Sequence, residues 1–120
     1  MLKIKKKKTD IIYIIGFCCL SIVAIDNLEE IVTVDHGDVF YVAPGDLAQS
    51  MGLTGQISHP DVLSAVDRGI NTIVESGKAA GMLVNDATLD SYLSKGVKFV
   101  GIPWTSWLRS GAESFLKKLP

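Results

Sequence analysis

Asp46 is the residue of this chain whose position in the sequence points most directly to chemistry. It follows Val39 to Val42, a short apolar run of β-branched and aromatic residues that predicts a buried strand. Ala43, Pro44 and Gly45 then break the strand, because proline lacks a ladder donor and glycine tolerates unusual dihedrals. Leu47 to Met51 can form the helical turn beyond. A carboxylate at such a junction either caps the helix or offers oxygen to a hard cation. Residue type leaves both open. The carboxyl ends of strands in α/β sheets are where ligands bind.

The other groups able to do chemistry have plainer readings. Asp35, His36, Gly37 and Asp38 hold two carboxylates and a histidine, but they are also the residues of a tight turn between a helix and a strand. Ser50, His59 and Asp61 are not set in the strained elbow that a nucleophilic serine needs. His59, before Pro60, reads as a loop or capping residue. Cys18 and Cys19 are adjacent, a spacing that suits neither a mutual disulfide nor a zinc site, and they read as apolar packing residues.

Alternating strands and helices must position these residues. Residues 26 to 34 predict a helix, with Ile25, Leu28, Ile31 and Val32 on one face and Asp26, Glu29 and Glu30 elsewhere. Residues 53 to 58 form a polar loop. Ser58 to Asp61 open a second helix, with serine as cap and proline in the first turn. Its stripe is Val62, Ala65, Val66, Ile70, Ile73 and Val74, and Gly77 ends it. Residues 79 to 84 are the next strand. Asn85 and Asp86 cap a helix that buries Leu89, Tyr92 and Leu93. Residues 98 to 102 are the last strand. Residues 104 to 119 form a final helix with Trp104, Leu108, Ala112, Phe115, Leu116 and Leu119 near one face, packing on the sheet or covering a partner. Strand, helix, strand, helix gives an α/β class with a parallel sheet.

Length and charge set bounds. With 120 residues and 48% apolar content the chain supports one domain with a real core. A formal net charge of −1 gives no electrostatic argument for nucleic acid. Residues 1 to 10 are lysine-rich, and residues 11 to 25 are uncharged and apolar. That run is shorter than the roughly 18 to 20 residues of a spanning helix. It fits a buried parallel strand leading into a helix, or a signal or membrane anchor over residues 3 to 25. A cytoplasmic location goes with the first and a membrane-anchored or exported chain with the second.

The stretch from Asp38 to Gln56, followed by His59-Pro60-Asp61-Val62, resembles the HpcH/HpaI aldolase/citrate-lyase family, whose pattern here is a strand, G-P-x-D-L-S, M-G and H-P-x-V. The likeness continues through Gly77-Lys78 and Ala80 to Leu83, then Gly96 to Val100. It implies a TIM (β/α)8 barrel, of which about 250 residues make a whole. Residues 24–120 would then be its parallel-stranded carboxyl-terminal portion, from the end of the fifth unit through the eighth, and residues 1–23 a divergent amino end. The resemblance implies lyases that cleave 4-hydroxy-2-oxo acids or 2-keto-3-deoxy sugar acids to pyruvate and an aldehyde with Mg²⁺ or Mn²⁺. By the same resemblance Asp46 is a metal ligand, the Gly45 and Asp46 amides receive the substrate carboxylate, and Leu83 is an apolar wall. The family's second carboxylate ligand falls on Leu20, which cannot coordinate a cation. Its substrate-binding arginine and histidine lie on early strands, and Arg68 and Arg109, on helices, do not replace them. The implied partners are a small oxo acid and further copies of the chain, the last helix packing against a neighbour. The departure at Leu20 predicts a truncated chain that is inactive alone; a non-catalytic truncated homologue and a membrane-tethered small domain are the alternatives.

Overall fold

Four short apolar runs pair side by side in sequence order. The computed structural model describes residues 16–19 and 21–119. Its strands are β1 (Gly16–Cys19), β2 (Val39–Val42), β3 (Ala79–Leu83) and β4 (Val97–Gly101), in the order β1-β2-β3-β4. All three pairings are parallel, with Cys19 beside Val42 and Val42 beside Met82. The connections are α1 (Ile22–Asp26), α2 (Leu28–Ile31), α3 (Pro44–Ser50), α4 (Pro60–Glu75) and α5 (Leu89–Ser94), and α6 (Trp104–Leu116) follows β4. Parallel neighbours need such crossovers, so the expected α/β class holds.

The apolar run near the amino end divides accordingly. Gly16–Cys19 is a strand of the sheet, while residues 1 to 15 and Leu20 lie outside the described residues. Among the described residues no helix is long and apolar enough to cross a membrane. The helix expected over residues 26 to 34 begins earlier and breaks in two. Ser21 caps it by accepting from the Ala24 amide at 3.2 Å. Asn27 divides it, its side chain donating to the Val23 carbonyl at 2.8 Å, which draws the backbone off helical values. Ile25, Leu28 and Val32 are buried, as the periodicity required.

The core lies between the sheet and the helices. Phe40, Val42, Ala80 and Met82 project from β2 and β3 onto one face. Val62, Val66, Ile70 and Ile73 of α4 meet them with no exposed surface. Burying each such side chain contributes about 1.5–3 kcal/mol, so α4 is the main fastening of the layer. Gly69 lets α4 approach: a Cβ there would lie 2.9 Å from Ile25 Cδ1. The other face of the sheet is open, with Cys18, Leu83 and Phe99 exposed and Tyr41 half-buried across it.

Several packing expectations change. Val74 and Leu93 are exposed, and α5 buries none of its residues. The cap of α4 is His59 and not Ser58, because Nδ1 accepts from the Asp61 amide at 3.2 Å. Asn85 organises the turn before α5, while Thr88 is the residue at its N-cap. No residue of α6 is buried: Trp104 is 66% and Leu108 65% exposed. The expected packing of α6 against the sheet therefore buries none of its residues.

Candidate functional site

At the carboxyl end of β2 the backbone turns directly into α3. Ala43 is the N-cap and Pro44 the first helical residue, a position where its missing N–H costs nothing. Helix therefore starts at Pro44, ahead of the turn expected from Leu47. Asp46 is the third helical residue, which removes the cap reading, and no side chain caps this helix. Its carboxylate in the first turn suits the helix dipole. First-turn amides have no partner within a helix, so the Gly45 and Asp46 N–H groups face outward. A Cβ at Gly45 would meet nothing within 4 Å, so the backbone there stands open to a ligand.

Parallel register brings a second strand end to the same height. Val42 pairs with Met82, so Leu83 ends β3 level with Ala43. Leu83 is 49% exposed. Gly45 and Leu83 both line a cavity of about 320 Å³ at the carboxyl ends of β2 and β3 and the start of α6. Asp46 does not line it. It lies toward β1, where its negative charge acts on Cys18. The Cys18 thiol is pushed up from its ordinary value, first by burial and then by the Asp46 carboxylate. Burial, and then Cys18, also push up the Tyr41 phenol on the open face. Cys19, buried on the helix side, is pushed up to about 11 by burial and by Cys18.

The remaining candidates do structural work. Ser50 Oγ accepts from the Ile22 amide at 2.9 Å and donates to the Leu47 carbonyl at 2.8 Å. His59 caps α4. Residues 35 to 38 are a turn at the amino ends of the strands, with His36 at φ 64°. Arg68 pairs with Asp26 at 2.7 Å, and Arg109 is exposed on α6.

Among the described residues no three His, Cys, Asp or Glu side chains come together as a metal cluster. Asp46 alone is an acceptor-only oxygen ligand suited to a hard cation. Leu20, where the family resemblance would put a second ligand, lies outside the described residues and has no donor atom in its side chain. Among the described residues Asp46 is therefore a lone candidate ligand, and no complete cation site is formed.

Sequence reading missed the roles of Cys18 and Tyr41. The two cysteines separate, one to each face of the sheet, and strand alternation was the signal that could have shown it. It also missed Ser58, Thr88 and Tyr92 as cavity residues. They come from loop 53–58, the β3–α5 connection and α5 itself, which only the tertiary fold brings together.

A family model described as HpcH/HpaI aldolase/citrate lyase matches residues 7–106. It reaches further toward the amino end than the motif resemblance from Ala24. Hydroxypyruvate/pyruvate aldolase of Cupriavidus necator is 44% identical over 81 residues, covering 67% of this chain and 30% of that protein. A 4-hydroxy-2-oxo-heptane-1,7-dioate aldolase of Salmonella paratyphi B is 39% identical over 93 residues, covering 76% of this chain and 35% of that protein. The chain thus spans about a third of the length of these curated relatives. The crystal structure of an HpcH/HpaI aldolase/citrate lyase family protein from Burkholderia cenocepacia superposes with a TM-score of 0.81 at 29% identity. That match covers 88% of this chain and 42% of that one. The four-stranded parallel sheet is accordingly part of a TIM-barrel fold.

Proposed function

The chain belongs to the HpcH/HpaI aldolase/citrate lyase family, and from that premise we infer that it carries part of the pyruvate site of a carbon–carbon lyase. The proposed reaction is retro-aldol cleavage of a 4-hydroxy-2-oxo acid or a 2-keto-3-deoxy sugar acid to pyruvate and an aldehyde. The names of the relatives, one acting on hydroxypyruvate or pyruvate and one on a hydroxy-oxo-dioate, support that substrate class. One observation carries the reading. Gly45 and Asp46 open a helix at the end of β2, level with Leu83 at the end of β3.

The residues divide the work. The Gly45 and Asp46 amides receive the carboxylate of the oxo acid, as N–H groups aimed at an anion do. Leu83 excludes water on the neighbouring side. Asp46 contributes one oxygen ligand to a divalent cation, Mg²⁺ or Mn²⁺ in our proposal, on which the family in general depends. Such a cation, when bound, polarises the 2-oxo group as a Lewis acid. One carboxylate alone would hold such a cation only weakly.

It follows that this chain alone turns over no substrate. Positioning of reacting groups is worth about 7–11 kcal/mol of the barrier, and among the described residues only Asp46 matches the set of two carboxylates, an arginine and a base that would provide it. Completion by further chains, with the exposed apolar face of α6 against a neighbour, is part of the proposal.

The test couples pyruvate release to lactate dehydrogenase with Mn²⁺ present, beside a calorimetric titration with Mn²⁺. Expected are no turnover and weak cation binding that Asp46→Asn abolishes. Tight binding that survives the substitution refutes the metal assignment. Turnover sensitive to both a chelator and Asp46→Ala refutes inactivity.

A further inference from the structure

We propose that a second copy of the chain covers the open face of the sheet, two four-stranded sheets closing into one eight-stranded barrel. This rests on the completion by further chains proposed above, and not on the pyruvate residues.

The strand count and the free edges carry the inference. A TIM barrel closes with eight parallel strands, and this sheet holds four, all parallel and in sequence order. Among the described residues nothing pairs with the outer edge of β1 or of β4. A two-fold axis along the barrel sets β4 of each copy beside β1 of the other, with all eight strands running one way. Each copy then satisfies both edges of its partner, and assembly stops at two because no edge is left. Edges kept from pairing carry charge or proline. The four strands hold one charged residue, Lys98, which falls at the irregularity of β4, off its register with β3.

The open face has the composition of a barrel interior. Cys18, Tyr41, Gly81 and Phe99 stand in register across it, and none is charged. Parallel sheets are buried on both faces, yet in one copy Cys18 is exposed and Phe99 is 45% exposed. Tyr41 lies over two glycines of the neighbouring strands. A Cβ at Gly81 would lie 2.8 Å from its Cδ2, and one at Gly101 would lie 2.7 Å from its hydroxyl. Phe99 meets the Tyr41 ring edge-on, with centroids 6.4 Å apart. Beside them is a hollow of about 370 Å³ lined by Gly16, Phe17, Cys18, Val39, Tyr41 and Phe99. The interior of an eight-stranded barrel is just wide enough for side chains to fill. The Tyr41 and Phe99 rings of two copies supply the bulk to fill it. A net charge of −1 per chain sets little repulsion between copies. Helices stay outside such a barrel, and the carboxyl ends of all eight strands, with both Asp46 residues, meet at one mouth.

The test is sedimentation of the full chain with Trp104, Trp107 and Phe115 replaced by glutamate, which removes association through α6. The expected species has twice the mass of one chain. As it forms, the outward amides of β1 and β4 should gain protection from hydrogen exchange, and Cys18 should react more slowly with a bulky maleimide. Phe99→Arg, at an exposed position, sets two cations inside the barrel and should weaken the dimer by at least about a hundredfold. A monomer in the glutamate variant, while the wild type associates, overturns the closure and leaves completion through α6 standing. A dimer unmoved by Phe99→Arg, or one whose edge amides exchange as fast as in the monomer, also overturns it, the second result being that of two sheets stacked face to face. A chain that is monomeric alone but forms a one-to-one complex when co-expressed with the amino-terminal half of the Cupriavidus necator aldolase assigns the face to a foreign half-barrel and overturns the second copy.

Discussion

Gly37→Ala should destabilise the chain although alanine suits most backbone positions better than glycine. A Cβ at Gly37 would lie 2.9 Å from Phe40 Cζ and 3.0 Å from Phe17 Cε2. Those two rings stack with centroids 5.3 Å apart and planes at 13°. Carbon atoms prefer separations of about 3.5–4.0 Å, so the stack must open by roughly 0.5–1 Å. Phe40 has no exposed surface and nowhere to go. Overpacking of this kind costs about 1–3 kcal/mol, against a gain of about 0.4–1 kcal/mol from a less flexible unfolded chain. The net expectation is a loss of about 1–2 kcal/mol. Urea denaturation followed by fluorescence measures it, and with a slope of roughly 1–3 kcal/mol/M the midpoint should fall by about 0.3–2 M. The neighbouring substitution has the opposite sign. His36 sits at φ 64°, a conformation costing a non-glycine residue about 1–2 kcal/mol, so His36→Gly should raise the midpoint. A Phe17→Leu background should reduce the cost of Gly37→Ala by making room. An unchanged midpoint in Gly37→Ala would show that the stack does not hold the turn, and the packing argument would fail. Mn²⁺ titration should be unaffected in every one of these variants, because the turn is at the end of the strands opposite Asp46.

Three further outcomes follow from the site and the open surfaces. Asp46→Asn removes the negative charge that helps keep the Cys18 thiol protonated, so Cys18 should react faster with an aqueous thiol reagent at fixed pH. An unchanged rate would place the carboxylate elsewhere. Cys19 holds its proton up to about 11, whereas the unfolded thiol ionises near 9.0. Between those values the unfolded chain binds fewer protons, so stability should fall as pH rises from about 9 to 11. Cys19→Ala should flatten that decline, and an identical decline would assign it to other groups. Finally, Trp104, Trp107 and Phe115 are exposed along α6, so the chain should associate in sedimentation and replacement of all three by glutamate should reduce the association. A compact monomer that binds no apolar dye would refute this.

The sequence by itself determined the parallel α/β class and most of the core. β2 is Val39–Val42 as its composition required, and five of the six stripe residues of α4 are buried because a 3.6-residue period fixes one face. Asp46 was legible as a strand-end residue, since proline and glycine mark where β2 stops, whereas Leu83 was singled out only by the family resemblance. Local pattern could not decide what depends on neighbours distant in the chain. The break at Asn27 and the cap at His59 turn on which side chain reaches which amide. The exposure of Leu93, and of α6 throughout, depends on what lies across from each helix, which periodicity does not encode. Asp46 changed from possible cap to third helical residue because Pro44 starts the helix earlier than its apolar residues suggested. Cys18 and Cys19, alike in sequence, are separated by the pleat, one beside Asp46 on the open face and one in the core. The cavity is wholly a tertiary product, because its lining is gathered from α3, α4, α5, the end of β3 and the loops between these elements, which lie far apart in the chain.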